Sequence, residues 1–441
     1  MENQLLVGFY KEMVTPPFGV TIPGYYNVRI ADGVINDLYL HTTMFSLGEK
    51  KAVVFSVDAI GISADGYMQL KELIAEKFGF AEEAIYIHAT HTHTSFRVAA
   101  PTEGECEEAV YRKWLFQKFC DCVFMAEKDL KPAKIRVASG DATGVGFLRN
   151  YRMKDGSCAN FPPYGSEDIV SFIGQQDNTV QLVRIVREDA PEILMINFGT
   201  HADAVGGTAF CTDWPGYTRD VVRRALDKDV EFMMMVGPEG NSNHHNRFLV
   251  NPEVTKGVLM AKRMARILGG AVLKIYDFAE EIDVQSIGYD VRTVTVGANP
   301  FDPADLPEAR EVFGIYKELG TSKDPIFDKY KLSVPAARRI CRLVDGNLTS
   351  FDLRVSALRI GELAFVGFSG EPFCEIGLDV KAASPYRMTV CTCITNGSQG
   401  YFPTATAFAE EKGYERSTSL FAHDVAKRLT DGALALLNDL K

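Results

Sequence analysis

The sequence predicts an α/β fold in which a mixed, largely parallel sheet is flanked by helices. One observation is the order of segments between residues 51 and 87, where an apolar strand at 51–58 precedes a helical pattern at 68–78 and a second apolar strand at 84–87. This order implies a parallel pair of strands joined by a right-handed crossover. The other observation is that apolar strands and helical patterns recur along the chain. We expect further strands at 193–198, 232–236, 363–368 and 389–394, and helices at 112–128, 218–226, 254–273 and 419–438.

The chain is long enough to bury a large core, because 46% of its 441 residues are hydrophobic. No break in composition divides it, so we expect a single domain over residues 1–441. Residues 299–345 are more polar than the rest and could form a flap or an inserted helical hairpin. Such excursions from a compact domain are often functional.

Charge and composition exclude several kinds of partner. The formal net charge is −11 and the pI is near 5.4, which argues against nucleic acid, since phosphate binding needs a concentrated basic face. No apolar run approaches the roughly 20 residues that span a membrane. The amino terminus lacks the features of a secretory signal, and the nine cysteines are irregularly spaced. We therefore expect a cytoplasmic protein with reduced thiols, of undetermined oligomeric state.

Polar side chains follow each of the predicted strands, at the point where the strand ends. Ligands of open α/β sheets bind beyond the carboxyl ends of the strands, so these side chains predict one shared site. They are His88, His91 and His93 after the strand at 84–87, His201 after 193–198, the glycine-rich run 237–245 after 232–236, Glu371 after 363–368, and Tyr401 after 389–394.

These residue types suit metal-assisted hydrolysis. Two neutral imidazoles and a carboxylate form a common catalytic zinc shell that leaves a position for water, and zinc brings the pKa of that water to about 7. A further histidine beside the ligands could take the proton, whereas His88 is expected to be a structural, hydrogen-bonding residue. Serine-nucleophile, phosphate-loop, dinucleotide and HExxH signatures are absent from the sequence.

The paired-histidine segment resembles that of the neutral/alkaline ceramidases, zinc amidohydrolases that split the N-acyl bond of ceramide. Residues 89–95, ATHTHTS, are similar to the ATHTHSG segment of that family. The resemblance implies that His91 binds zinc and that His93 assists proton transfer. Residues 197–201, NFGTH, resemble the segment that supplies the second zinc histidine, which implies His201.

Four further residues are implied by the same resemblance, which runs from about residue 24 to about residue 424. The segment SGEPF is similar to the family's GEF segment and implies Glu371 as a ligand. Tyr401 lies in a loop like the one that brings a tyrosine hydroxyl to the metal. Tyr414 begins a YExxST stretch whose tyrosine lines the active site, and Arg149 matches an arginine that faces the substrate carbonyl, so both are expected to stabilise the oxyanion.

The chain departs from the family in three respects. The family's glycine loop, GDVSPN, contains a serine important to ceramide hydrolysis, and residues 240–244, GNSNH, put Asn243 at that position with Ser242 one residue earlier. Secreted ceramidases also carry a signal sequence and a carboxyl-terminal β-sandwich domain, neither of which we find here. The resemblance therefore implies the zinc shell and the catalytic domain more firmly than it implies ceramide.

Three functional hypotheses follow from the sequence. The first is a zinc-dependent hydrolase of an N-acyl amide or ester bond, acting on a small-molecule or lipid-like substrate. The second is a metal-binding homologue without turnover, which the asparagine at position 243 would favour. The third is a metal-dependent phosphoester hydrolase, which would need a second metal about 3.5–4 Å from the first, with Asp58 or Asp213 as ligands.

Overall fold

The structure, a computed structural model, describes residues 4–410 and 413–441. Its strands are β1 Leu6–Met13, β2 Gly33–Val34, β3 Tyr39–Leu47, β4 Lys50–Val57, β5 Gly61–Ile62, β6 Ile85–Ala89, β7 Arg97–Val98, β8 Lys131–Asp141, β9 Phe147–Leu148, β10 Asn150–Met153, β11 Cys158–Asn160, β12 Ile169–Phe172, β13 Thr179–Arg187, β14 Glu192–Phe198, β15 Ala209–Phe210, β16 Val230–Val236, β17 Ser242–Asn243, β18 Glu280–Glu281, β19 Ile287–Gly297, β20 Ser350–Ile360, β21 Leu363–Phe368, β22 Glu371–Pro372, β23 Met388–Thr392 and β24 Tyr401–Phe402. Its α-helices are α1 Ala64–Phe78, α2 Glu107–Lys128, α3 Asp213–Leu226, α4 Val258–Tyr276, α5 Leu306–Leu319, α6 Val334–Asp345, α7 Cys374–Ala383, α8 Ala405–Ala409, α9 Tyr414–Thr418 and α10 Val425–Asp439.

Two mixed sheets form the body of the molecule, which confirms the α/β class. The larger sheet has the order β16-β14-β13-β8-β1-β3-β4-β6, with β18 beside β8, and the smaller has the order β19-β20-β21-β23. The pairs β4·β6, β14·β16 and β21·β23 are parallel. The crossover between the strands of each of these pairs contains a helix, α1, α3 or α7, as the strand, helix, strand order predicts.

Parallel pairing is less extensive than the sequence led us to expect. The remaining pairs of the two sheets are antiparallel, and short turns account for several of them. Gly48 and Glu49 join β3 to β4, and Gly361 and Glu362 join β20 to β21. Two residues can reverse a chain but cannot carry it back to a parallel start, and both glycines take a positive φ, 57° and 60°, that suits such turns.

The carboxyl ends of the three parallel pairs meet at the segment 393–396, which follows β23. The amide of Cys393 donates to Val236 O at the end of β16, and Ala89 N at the end of β6 donates to Ile394 O. Asn396 exchanges backbone and side-chain hydrogen bonds with Ile87, both 2.8 Å long. The two sheets are therefore joined by hydrogen bonds at the edge where the predicted site residues emerge.

Residues 299–345 contain α5 and α6, which pack against each other through a small apolar cluster that includes Ala309, Val312, Ala337 and Ile340. Tyr316 of α5 makes an edge-to-face ring contact with Tyr26, at 5.8 Å between centroids. This segment therefore reaches the loop at 21–29. The assignment of residues 1–441 to one domain stays a prediction.

In the described parts of the chain, none of the helices combines the length and the apolar composition that a membrane span requires.

Replacing Asn396 by alanine tests the junction between the sheets. Its side chain accepts from Ile87 N and donates to Ser356 Oγ, and its φ is 56°. We expect Asn396→Ala to lower the free energy of unfolding by about 2–4 kcal/mol, because a buried N–H loses its acceptor and alanine is strained at positive φ. The measurement is equilibrium unfolding in denaturant.

Asn347 is the matched control, since it is exposed and has a φ of 46°. Asn347→Ala should cost only the backbone strain, about 1 kcal/mol. Equal losses in the two variants would show that the hydrogen bonds of Asn396 contribute nothing.

Candidate metal centre

The chain after β6 turns sharply, and this turn directs two histidines to the site. Because β6 ends at Ala89, the alternation of side chains along a strand does not apply to His91 and His93. His91 instead has a φ of 59°, in the left-handed region that non-glycine residues seldom adopt. The rings of His91 and His93 consequently lie 4.9 Å apart, with 3.3 Å between their Nε2 atoms.

His91 and His201 each present Nε2 to the same carboxylate. His91 Nδ1 lies 2.7 Å from Ile60 O, and His201 Nδ1 lies 3.0 Å from Glu239 O. Since a backbone carbonyl only accepts, these bonds put a ring proton on Nδ1 and make Nε2 the nitrogen that can bind a metal. The two Nε2 atoms lie 3.6 Å and 3.3 Å from Glu371 Oε2. Two imidazoles with this tautomer and orientation suit metal ligation.

Glu239 is a fourth member of the cluster that the sequence analysis missed. Its carboxylate lies with Glu371 and the two imidazoles in a group whose ligand atoms are all within 4.8 Å of one another. Glu239 is the third residue after β16 ends, in the glycine-rich run that sequence analysis flagged. Its position just beyond a buried strand was the available signal, but no motif spacing distinguished its carboxylate.

Three of the four carboxylate oxygens in this group lack a hydrogen-bond donor within the described chain. Among the described residues, neither oxygen of Glu239 has a hydrogen-bond partner, nor does Glu371 Oε2, although Glu239 is fully buried and Glu371 is 8% exposed. A buried anion without donors is strongly destabilising unless a cation compensates it. The donor set of two imidazoles and two carboxylates therefore fits a divalent metal ion such as zinc.

The electrostatics of the cluster favour positive charge at its centre. Burial lowers the pKa of His91, but the Glu371 and Glu239 carboxylates and the hydrogen bond to Ile60 O together raise it, so that it reaches about 9. Burial raises the pKa of Glu371, and the His91 and His201 imidazoles outweigh that effect and hold it well below its usual range. Burial also raises the pKa of Glu239. Such opposed shifts are typical of functional sites.

Tyr401 borders the cluster because of a two-residue parallel pairing. Strands β22 and β24 pair with Glu371 opposite Tyr401, and Glu371 N donates to Gly400 O at 2.8 Å. The Tyr401 hydroxyl then lies 3.4 Å from His201 Nε2, and the two rings are stacked with an interplanar angle of 19°. The structure thus brings together the four residues expected to bind metal.

His93 stands beside the group and contacts a second carboxylate. Its Nδ1 lies 3.8 Å from Asp203 Oδ1, and the Tyr25 hydroxyl donates to the same oxygen of Asp203. Burial, together with His91 and His201, holds the pKa of His93 well below its usual value, so its ring is neutral. Asp203 follows His201 by two residues, and sequence analysis did not assign it a role.

Arg149 lies behind the cluster and is not among the described residues that line the cleft described below, so its expected contact with a substrate carbonyl stays a prediction. One of its terminal nitrogens lies 3.2 Å from His201 Nε2 and donates to Gly240 O. Its Nε lies 3.1 Å from a carboxylate oxygen of Glu415, which is buried. The reason is that the chain after β9 runs beneath the glycine-rich loop, with Arg149 N donating to Asn241 O.

Tyr414 and Asn243 have different surroundings. Tyr414 begins α9, makes an edge-to-face contact with Tyr401 at 5.7 Å, and lines the cleft. Asn243 pairs with Phe147 in a short ladder, and its Oδ1 accepts from His245 N. Asn243 is not among the described residues that line the cleft, so its side chain serves the local turn.

His88 has the structural role that we expected. Its Nδ1 bonds to Cys393 O and its Nε2 accepts from Val236 N, so it links β6 to the ends of β23 and β16.

The two aspartates considered as ligands of a second metal instead form an ion pair or hydrogen bonds to backbone amides. Asp58 pairs with Arg219 at 2.8 Å, and Asp213 accepts from Val205 N and Trp214 N. Within residues 4–410 and 413–441, neither belongs to a group with metal-ligand spacing.

A cleft of about 410 Å³ opens onto the cluster. His91, His93, Glu371 and Tyr401 form its floor, and its walls come largely from the loop at 21–29 and from residues of α5, α6 and α9. Gly24 approaches His93 closely, since a Cβ at this position would lie 3.0 Å from His93 Nδ1. Five tyrosines and three arginines line the cleft, which makes it aromatic and basic in character.

Comparison with known proteins shows the fold. No protein-family model and no curated protein sequence matches the chain. Among solved structures, it is similar to the neutral ceramidase from Pseudomonas aeruginosa, with a TM-score of 0.72 and 16% identity over 100% of this chain and 75% of that one. It is also similar to a ceramidase complexed with C2, with a TM-score of 0.69 and 15% identity over 99% of this chain and 76% of that one. The resemblance seen in the sequence is thereby confirmed for the fold: this chain has the neutral ceramidase fold.

Proposed function

We propose that this chain is a zinc-dependent hydrolase that cleaves an N-acyl amide or a related bond. The observation that carries the proposal is a group of two imidazoles and two carboxylates, in which three carboxylate oxygens lack a hydrogen-bond donor among the described residues and of which His91 and Glu371 line an accessible cleft. The similarity in fold to two ceramidases supports the reaction class.

The proposed ligands are His91, His201, Glu371 and Tyr401, with Glu239 as a further carboxylate beside them. When bound, zinc would supply Lewis-acid chemistry for hydrolysis of the amide. Backbone carbonyls at Ile60 O and Glu239 O hold the two imidazoles in the ligating orientation, an outer-shell contact that usually tunes metal affinity.

His93 is the proposed proton carrier. Its neutral ring lines the cleft with Nε2 directed toward His91, so it could accept a proton from the attacking water and later give it to the leaving amine. Asp203 near Nδ1 would stabilise the imidazolium that forms in between, in the manner of an orienting carboxylate.

Tyr414 and Arg149 are proposed to act on the oxyanion in different ways. Tyr414 lines the cleft, where its hydroxyl could donate to the carbonyl oxygen as negative charge develops. Arg149 is a positioning residue, since its guanidinium lies 5.5 Å from the ring centroid of Tyr401 and is fixed by Glu415. Its positive charge would favour an anionic state at the floor of the cleft without touching substrate.

The two other hypotheses have less support. A metal-binding homologue without turnover would need no open access to the proposed metal, whereas three of the four proposed ligands, His91, Glu371 and Tyr401, line a cleft. A phosphoester hydrolase would need a second metal group, and the groups found among the described residues share His91 and His201. We therefore propose amide hydrolysis and assign no function to Asn243.

Metal analysis of purified variants tests the proposed ligands. We expect about one zinc per wild-type chain, and a loss of at least about 100-fold in zinc affinity in His201→Ala, because each ligand is one of few donors to the ion. His423 is exposed and outside the group, so His423→Ala should retain zinc. Equal zinc content in both variants would rule out this site.

Glu239 should show opposite effects on stability and on metal binding. Because both its oxygens are buried without donors, Glu239→Gln should raise the free energy of unfolding of chelator-treated protein by about 1–3 kcal/mol. The same variant should bind zinc about tenfold more weakly, since a carboxylate is lost from the group. Glu72→Gln, on an exposed face of α1, should change neither quantity.

Substitution of His93 should lower turnover without changing the zinc content. We expect His93→Gln to lower kcat for an N-acyl substrate by about 10²–10⁴-fold, the usual contribution of a general base, while zinc content stays at the wild-type level. Loss of zinc in this variant would instead make His93 a ligand. Full activity with zinc bound would remove it from the mechanism.

A further inference from the structure

Two arginines on the walls of the cleft have no carboxylate partner among the described residues. Arg97 belongs to β7 and Arg338 to α6, and both side chains are exposed and line the same cleft as Glu371. Within residues 4–410 and 413–441, neither guanidinium forms an ion pair at 4.0 Å or less. By contrast, Arg149, which lies behind the cluster, forms an ion pair with Glu415.

The charges that line the cleft are therefore unbalanced. Its third arginine, Arg29, donates to Pro23 O and Gly207 O and so shapes the loop at 21–29. The one carboxylate among the described lining residues is Glu371, which faces the imidazoles and the proposed metal. A basic cleft on a chain with a formal net charge of −11 stands out against the average field of the protein. Such a cleft concentrates anions.

Arg97 and Arg338 are close enough in the cleft to interact electrostatically. Burial lowers the pKa of Arg97, the Glu371 carboxylate raises it, and Arg338 lowers it further, so the two guanidinium groups repel each other. Arg338 also lies 5.7 Å from the ring centroid of Tyr26, which supports it from one side. Two nearby like charges on different elements cost free energy that a bound anion would offset.

We infer that the substrate carries an anionic group, which Arg97 and Arg338 bind while the amide lies over His91 and Glu371. This inference rests on the proposed hydrolase function and names its substrate class: an N-acyl amino acid, or another N-acyl compound with a carboxylate or phosphate on its amine portion. Guanidinium groups bind both anions through paired N–H donors. An uncharged N-acyl lipid would leave both arginines without a partner.

Kinetics on substrates that differ only in charge test this inference. The zinc-loaded enzyme is given N-octanoylglycine, the uncharged N-octanoylglycinamide, and N-octanoyl phosphoethanolamine. We expect kcat/KM for the preferred anion to exceed that for the amide by about tenfold or more, since a close pair of opposite charges can contribute this much to recognition. Preference for the carboxylate or for the phosphate assigns the anion.

Substitutions of the two arginines test whether they cause the preference for an anionic substrate. Arg97→Gln and Arg338→Gln should each raise KM for the anionic substrate by about five- to tenfold with kcat little changed, because they remove ground-state binding. KM for the amide should stay the same. Arg263 is exposed on α4 and does not line the cleft, so Arg263→Gln is the matched control and should leave both substrates unaffected.

Failure of this inference differs from failure of the proposed function. Equal kcat/KM for charged and uncharged substrates, or Arg97 and Arg338 variants that act equally on both, would overturn the anionic substrate and leave hydrolysis intact. Absence of turnover on every substrate would refute hydrolysis, and calorimetric binding of N-octanoylglycine would then decide the charge question. Affinity lost about tenfold or more in the double variant supports the arginine site, and unchanged affinity overturns it.

Discussion

Two buried carboxylates, Glu239 and Glu371, impose the main electrostatic constraint on this structure, because three of their four oxygens lack a hydrogen-bond donor among the described residues. Anions held in a low-dielectric interior destabilise the fold unless positive charge compensates them. Positive charge is available nearby: the pKa of His91 is raised to about 9, and a terminal nitrogen of Arg149 lies 3.2 Å from His201 Nε2. A divalent cation would satisfy all of these groups at once. Such a site lowers the stability of the metal-free protein, and metal binding then stabilises the folded state.

The fold brings these groups together by joining the ends of three parallel strand pairs. Segment 393–396 contacts the ends of β6 and β16, and His88 bonds to both sides of the same junction. Several residues around the junction take positive φ values that are costly for their type, including His91, Ile394 and Asn396. Strained backbone of this kind persists only where the surrounding packing fixes it, and it is concentrated at functional sites.

The walls of the cleft differ in character from its floor, which contains the residues of the candidate metal site. The floor is built from strand ends, and the walls come from the loop at 21–29 and from helices, including those at residues 299–345. Rigid strands suit residues that must hold a metal within a few tenths of an ångström, whereas loops and inserted helices can change the substrate without disturbing the chemistry. The unpaired arginines on these walls are consistent with substrate specificity that is determined by residues of the walls and not by those of the metal site.

Much of the fold and part of the site could be predicted from the sequence, for local reasons. Buried strands are continuous apolar runs, so the predicted strands lie close to β14, β16, β21 and β23, and the polar residues that follow them mark His91, His201, Glu371 and Tyr401. Antiparallel pairing was underestimated because two-residue turns such as Gly48-Glu49 carry a weaker signal than the strands that they join.

Tertiary structure alone decided which of these side chains share a space. It placed Glu239 beside His91, His201 and Glu371, placed Asp203 beside His93 and Arg149 behind the cluster, and turned Asn243 toward its own loop. These outcomes depend on how strands far apart in sequence pair, as Glu371 does with Tyr401. Residue type and strand position are local properties that one sequence contains, whereas the distances between atoms of different strand ends exist only once the sheets have closed.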